Sequence, residues 1–451
     1  MGSPTTPVVR SMALRTRVPP EIELCIVEAL IETHKRSNTP AFRLSTFASV
    51  SRTWQALIEK ETYHHIKIAP HELDSFKQHV GSYRKLLVKH IVLEISYDFL
   101  LNPDNDQVLF SKAVHALWRI LSRWKTHRVT VELGIVSWIA RRYIEAHRNP
   151  LNPSNTLDQP FWSDFDLWNR VSEAFLGGEP ARFDRTSLPQ QGATTLPKVE
   201  AIAELVMRRE YNPNISPITL YEIISSAPCI ESIHLERWCY GNLVQDGNWD
   251  RAFQQTGLLV PDSTKRLTYF EEFHTTYHRH AGEMVMPRPN ATLLKSISQT
   301  ANRLEHISVS FAFDVQTFFD RLIQTEFKAL KTLALTSSFS NTSESLLINA
   351  AEAVKEIPAL KILEIWNFEA GHVQADVFRY ERLDRYEGRI TWQSTKHRKV
   401  SSNVERSWKD LLRRGENGLD IKRNSFPMDI RSLQDLLPNL KLREQILRNL
   451  T

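Results

Sequence analysis

The apolar positions of this chain change their period along its length. Between Val18 and Leu30, the residues Ile22, Ile26, Val27 and Leu30 recur at helical spacing. Pro19 and Pro20 stand where a helix entrance suits a fixed φ and a missing N–H, and Glu21 and Glu23 face the positive end of the helix dipole. The spacing predicts one amphipathic helix followed by a polar loop from His34 to Pro40. Leu44, Phe47, Ala48 and Val50 then predict a short second helix, and Ser51 a cap for a third whose apolar face is Trp54, Leu57 and Ile58. Three short helices in about 40 residues bury little surface by themselves, so they need cover from the rest of the chain, from a partner, or from both.

From about residue 86 short β-like runs alternate with helical ones. A triplet recurs in those runs, one apolar residue standing three before a second and a third two later. It reads Ile230, Ile233, Leu235; Leu304, Ile307, Val309; Leu330, Leu333, Leu335; and Leu360, Leu363, Ile365, with weaker copies at Ile202, Leu205, Met207 and at Leu267, Phe270. The anchors Leu205, Ile233, Leu267, Ile307, Leu333 and Leu363 are 28, 34, 40, 26 and 30 residues apart, which fits one strand and one helix per unit. Leucine-rich repeats run about 20 to 29 residues, so the longer steps imply a bigger helix or an inserted loop.

An earlier unit is visible in Val88, Ile91, Leu93 and Ile95, a helix from Val114 to Trp124, and a strand through Val129, Val131 and Leu133. Helix starts fall between the strands: Ser216 before Pro217, Asp314 before Phe318, and Asn341 with Glu344 as a capping box. A stretch from 149 to 196 rich in Pro, Asn, Gly and Ser reads as an insertion. Val377–Arg382 and Arg389–Thr395 alternate and predict a hairpin, and helices near Val404–Arg414 and Leu440–Leu450 are expected to cap the array with a polar outer face. The expected fold is α/β (α+β): a mobile tail over 1–17, a helical module over 18–60, an irregular leucine-rich-repeat-like array over 61–375, and a C-terminal hairpin with capping helices over 376–451.

Composition narrows the function class. A length of 451 residues exceeds what one core usually holds, and 41% hydrophobic with 24% charged residues is the balance of a soluble globular protein. Three cysteines, an odd number, and no apolar run near 18 to 20 residues predict a reducing compartment, cytoplasmic and/or nuclear, and no membrane. No G-x-S-x-G elbow, Gly-rich phosphate loop or nucleotide fingerprint occurs, so neither an enzyme nor a cofactor is expected. His274, His278 and His280 lack an H-E-x-x-H frame and read as surface or loop histidines, not a metal site. Glu271 and Glu272 would point to opposite faces of a strand and cannot flank one bond, so a solvated strand end is expected there. Between Arg389 and Arg423 ten Lys/Arg face four Asp/Glu, an excess above the chain's net charge of +5. Its densest part, Lys396, His397, Arg398 and Lys399, is flanked by Trp392 and Trp408, which suggests a phosphate or nucleic-acid contact through Lys396, Arg398 and Lys399 beside the plainer reading of a solvated face.

The N-terminal residues resemble an F-box, the motif by which substrate adaptors join Skp-type and cullin-based ubiquitin ligases. Pro19, Pro20, Glu21, Ile22, Ile26 and Leu30 are similar to its opening Leu-Pro-x-Glu-Ile and helix, and Val50, Ser51, Arg52 and Trp54 to its closing V-S-R-x-W. The rest of the chain looks like the F-box-like proteins of filamentous fungi, with a segment similar to theirs at Tyr386–Thr395. The resemblance implies a non-catalytic adaptor. Pro19, Pro20, Ile22, Ile26, Leu30, Val50 and Trp54 would meet a Skp-type adaptor and through it a cullin, while the array holds a protein substrate. The alternatives are a repeat scaffold whose box-like helices recruit no ligase, and nucleic-acid binding through 389–423.

Overall fold

The computed structural model describes residues 18–36, 43–81, 83–97, 103–125, 127–137, 181–182, 195–208, 214–239, 243–272, 290–300, 302–313, 315–322, 327–337, 344–369, 374–384, 386–396, 400–411, 419–426 and 429–448. These form two compact units, Met1–Ile66 with Ser82–Lys89, and Lys67–Gly81 with His90–Thr451. The expected tail over 1–17, almost all of the 149–196 insertion and the histidines 274, 278 and 280 lie outside the described residues.

In the first unit a helix spans Pro20–Arg36, a 3-10 turn Leu44–Ser49, and a second helix Arg52–His64. The first helix runs past the expected loop start at His34, because His34, Lys35 and Arg36 suit the negative end of its dipole. Lys35 also pairs with Glu61 at 2.7 Å. Ser51 caps the last helix as its sequence predicts, its hydroxyl accepting from the Trp54 N–H at 3.2 Å. Val27, Leu44 and Ile58 form the centre of a small core, with Leu30, Ile31, Phe47, Leu57 and Trp54 around it.

The second unit is mixed α/β and is built on a sheet whose strands follow chain order. They are β1 (His65–Ile68, of which Lys67 and Ile68 belong to this unit), β2 (His90–Tyr97), β3 (Val129–Ser137), β4 (Ile202–Met207), β5 (Ser232–Trp238), β6 (Arg266–Glu272), β7 (His306–Ser310), β8 (Thr332–Thr336), β9 (Ile362–Glu369), β10 (Gln374–Arg382), β11 (Gly388–Ser394) and β12 (Leu419–Asn424). Pairing is parallel from β2 to β9, antiparallel through the β9–β10–β11 meander, and parallel again from β11 to β12. Strand β12 and the Leu73–His79 helix were not legible in the apolar pattern.

The anchor residues pair directly across the sheet. Ile91, Val131, Leu205, Ile233, Leu267, Ile307, Leu333, Leu363, Tyr380 and Ile390 form one continuous ladder, and every one is at most 1% exposed. Because side chains alternate along a strand, this row and the row two residues later share one face. Strands added in sequence by crossovers of one hand bring all the connecting helices to one face of the sheet. The helices accordingly pack side by side, with Pro217–Ser225 against Leu243–Thr256, Val315–Leu322 against Glu344–Lys355, and Glu344–Lys355 against Ser402–Lys409. Trp408 closes that layer on the hairpin. It is fully buried, its indole N–H donates to the Leu347 carbonyl at 3.1 Å, and its ring lies 5.1 Å from Phe378 and 4.8 Å from Tyr380.

The opposite face is covered by the end of the chain. Short helical turns over Leu433–Leu436, Leu437–Asn439 and Arg443–Ile446 replace the continuous helix expected near Leu440–Leu450. They do not cap the last strand, for the Arg443–Ile446 turn lies on β6 and β7 in the middle of the sheet. The reason is composition: Ile430, Leu436, Leu440, Leu442, Ile446 and Leu447 leave too few polar residues for a solvated outer face, and all six join Phe270, Trp366 and Val377 in one core. Phe311 supports that core from a left-handed backbone (φ 61°), a costly conformation for a bulky residue. Its N–H donates to Thr336 Oγ1 at 2.6 Å, and its ring stands edge-on to Phe270 and Trp366 at 5.7 and 5.3 Å.

Trp408→Ala removes both the ring packing and the indole donor, and a loss of about 3–5 kcal/mol is expected from a truncation of this kind. A urea titration of the variant against the wild type checks it.

Candidate functional site

The first unit divides its apolar residues between two directions. Val27 is fully buried and Leu30 half-buried against the small core, whereas Ile22, Ile26 and Val50 are 51%, 46% and 59% exposed. Ile22, Ile26, Val27 and Leu30 share one broad face of the helix, but only the flank that fits Leu44 and Ile58 turns inward. Pro19 and Pro20 are exposed at the helix entrance, where the Pro19 carbonyl accepts from the Ile22 and Glu23 N–H groups, each at 3.0 Å. Trp54 packs on Phe47 with ring centroids 6.4 Å apart, so its side chain belongs chiefly to the internal packing of the unit.

A feature with no apolar signature ties Ser82–Lys89 to this unit. Glu59, 7% exposed, accepts from Arg84 at 2.7 Å, from Gln55 at 2.9 Å and from the Tyr83 hydroxyl, while the Arg84 guanidinium lies 5.4 Å from the Tyr63 ring centre. Burial by itself would raise the Glu59 pKa. The hydrogen bonds from Arg84, Tyr83 and Gln55, with the Arg84 charge, outweigh it and lower the pKa to about 2.

In the second unit the face beneath the C-terminal segment is polar where it meets that segment's main chain. One register row crosses it through Glu132, Val206, His234, Thr268, Ser308, Ala334, Glu364, Arg379 and Thr391. Glu364, 0% exposed, accepts from Arg379 Nε at 2.7 Å and from the Lys441 and Leu442 N–H groups, both at 3.0 Å. Arg379 also donates to the Asn439 carbonyl at 2.6 Å, and Thr268 to the Gln445 carbonyl at 2.8 Å. Lys441 pairs with Glu381 and Arg448 with Glu204, the latter also held by Ser232 at 2.7 Å and Thr130 at 3.0 Å. The segment thus crosses from β10 to β4 with its backbone read by sheet side chains.

Glu271 is not the solvated strand end expected of it. It is 1% exposed and accepts from Arg237 at 2.8 Å and from Tyr269 at 2.9 Å, and the Arg237 guanidinium lies 4.5 Å from the Trp249 ring centre. Burial raises the Tyr269 pKa well above the ordinary phenol value, and the Glu271 charge adds to it. A cavity of about 30 Å³ lies beside this cluster, lined by Arg208, Arg237, Asn214, Leu235, Trp249 and Tyr269 among others, with room for about one water.

The basic segment loses its aromatic partners. Trp392 is 4% exposed and Trp408 0%, so neither can stack on a base. Arg389 pairs with Asp420 at 3.0 Å, Lys396 is exposed, and Arg398 and Lys399 lie outside the described residues. Among the described residues no three His, Cys, Asp or Glu are placed to hold a metal ion, and no helix is long and apolar enough to cross a membrane.

Two measurements check the buried carboxylates. Glu59 has a lowered folded-state pKa, so its stabilising contribution is complete above about pH 4.5 and fades as pH falls towards 2. Acid titration followed by circular dichroism is expected to show that loss, and Glu59→Gln to flatten it while lowering stability at pH 7. Glu364→Ala leaves Arg379 and two N–H groups buried without their acceptor, and a loss of about 3–5 kcal/mol in urea unfolding is expected.

Residues 259–448, from just before β6 to the end of the C-terminal segment, match the model of a family of unknown function (DUF6546). No curated protein matches the chain. The chain is thus similar, over these residues, to a family whose function has no assignment.

Proposed function

We propose that the chain is a non-catalytic adaptor of a Skp/cullin/F-box-type ubiquitin ligase. The N-terminal unit docks on a Skp-type protein, a cullin is reached through it, and the strand and helix array holds a protein substrate. The observation that carries this reading is the exposure of Ile22, Ile26 and Val50 on a unit whose own core is already closed by Val27, Leu44 and Ile58. Apolar side chains left half in water beside a formed core are what a docking surface supplies. The residues that carry the F-box resemblance then divide into two roles: Ile22, Ile26 and Val50 face the partner, while Leu30 and Trp54 keep the helices in place to present them.

The adaptor needs no cofactor of its own. Its contribution is effective concentration: a substrate held near a ubiquitin-conjugating enzyme meets it in a nearly intramolecular encounter. Transfer chemistry belongs to the partners.

Co-expression with a Skp-type protein is the test. A complex that survives size-exclusion chromatography is expected. Ile22→Asp and Ile26→Asp leave the Val27–Leu44–Ile58 core intact and are expected to cut the recovered Skp-type protein at least tenfold with an unchanged circular dichroism spectrum. No stable complex, or one indifferent to both substitutions, overturns the proposal.

A further inference from the structure

The segment from Asp429 to Arg448 takes part in no strand pairing, and it has the properties of a bound peptide. Its helical turns are four, three and four residues long, too short to be stable without the surface they lie on. The sheet addresses its main chain: Glu364 accepts two of its N–H groups, while Arg379 and Thr268 donate to two of its carbonyls. Its apolar side chains enter a surface made by Phe270, Phe311, Trp366 and Val377, and two of its four cations, Lys441 and Arg448, meet the sheet carboxylates Glu381 and Glu204. Removing it would break no strand ladder.

We propose that this face of the sheet is a peptide-binding groove occupied in cis by residues 429–448, an autoinhibitory strap. The external ligand that fits is an amphipathic peptide with the strap's chemistry: leucine or isoleucine at the positions of Leu440, Leu442, Ile446 and Leu447, and a cation at the positions of Lys441 and Arg448. Tethering gives the strap a high effective concentration, so an external peptide must either match it closely or meet a strap that has been loosened. The inference concerns the second unit alone and stands apart from the adaptor reading.

The test uses the full chain. A protease recognition sequence is placed between Phe426 and Asp429 in the full chain, the purified protein is cleaved, and exchange of a fluorescent peptide of residues 429–448 is followed by anisotropy. Saturable exchange into the cleaved, folded protein is expected. Binding to the uncleaved protein should be at least a hundredfold weaker, and a peptide carrying Leu440→Ala and Ile446→Ala at least tenfold weaker in the cleaved protein. Two outcomes overturn the proposal: exchange that occurs only at denaturant concentrations that unfold the sheet, or equal binding before and after cleavage. If the insertion prevents folding, hydrogen exchange on the unmodified chain decides: amides of 440–447 opening before those of β6–β9 support the strap, and simultaneous opening overturns it.

Discussion

A parallel sheet needs cover on both faces, and in this protein the two covers come from different places. Among the described residues, crossovers between consecutive strands bring helices to one face. The other face would leave Phe270, Trp366 and Val377 in water, and the end of the chain covers them. Glu364 fixes that arrangement. Its carboxylate joins β9 to β10 through Arg379 and joins both to the last segment through two main-chain N–H groups, so one buried charge sets the position of three pieces of chain. A buried carboxylate without such partners would be strongly destabilising; with them it specifies where the segment lies.

The same logic recurs on a smaller scale in the first unit. Its core of Val27, Leu44 and Ile58 is too small to orient its surroundings by apolar contact alone, and Glu59 supplies the missing specificity by gathering Arg84, Tyr83 and Gln55. In both units a charged group among apolar neighbours decides which distant segment is recruited. The helix that carries Ile22 and Ile26 joins the same small core through Val27, Leu30 and Ile31.

The apolar triplets were a reliable guide because a strand buried on its helix-facing side must repeat its apolar positions in register with its neighbours. That is why Leu205, Ile233, Leu267, Ile307, Leu333 and Leu363, chosen on spacing alone, pair with one another residue for residue. Strand β12 escaped the same reasoning, since Leu419-Asp-Ile-Lys-Arg-Asn424 is an edge strand with one pairing partner and charges that protect its open side. The aromatic part of the basic-run reading does not hold: Trp392 and Trp408 flank the run in sequence, but alternation and helix packing turn both into the core.

Local periodicity and capping chemistry determined the repeated strands, their register and the helix starts at Pro20, Arg52 and Pro217, because those depend on residues a few positions apart. Tertiary structure alone decided which flank of the first helix stays exposed, that Glu271 is buried beside Arg237, and that the last twenty described residues lie across the sheet. Those outcomes depend on pairs up to 244 positions apart, such as Arg448 with Glu204, and no local pattern encodes which carboxylate a distant arginine will meet.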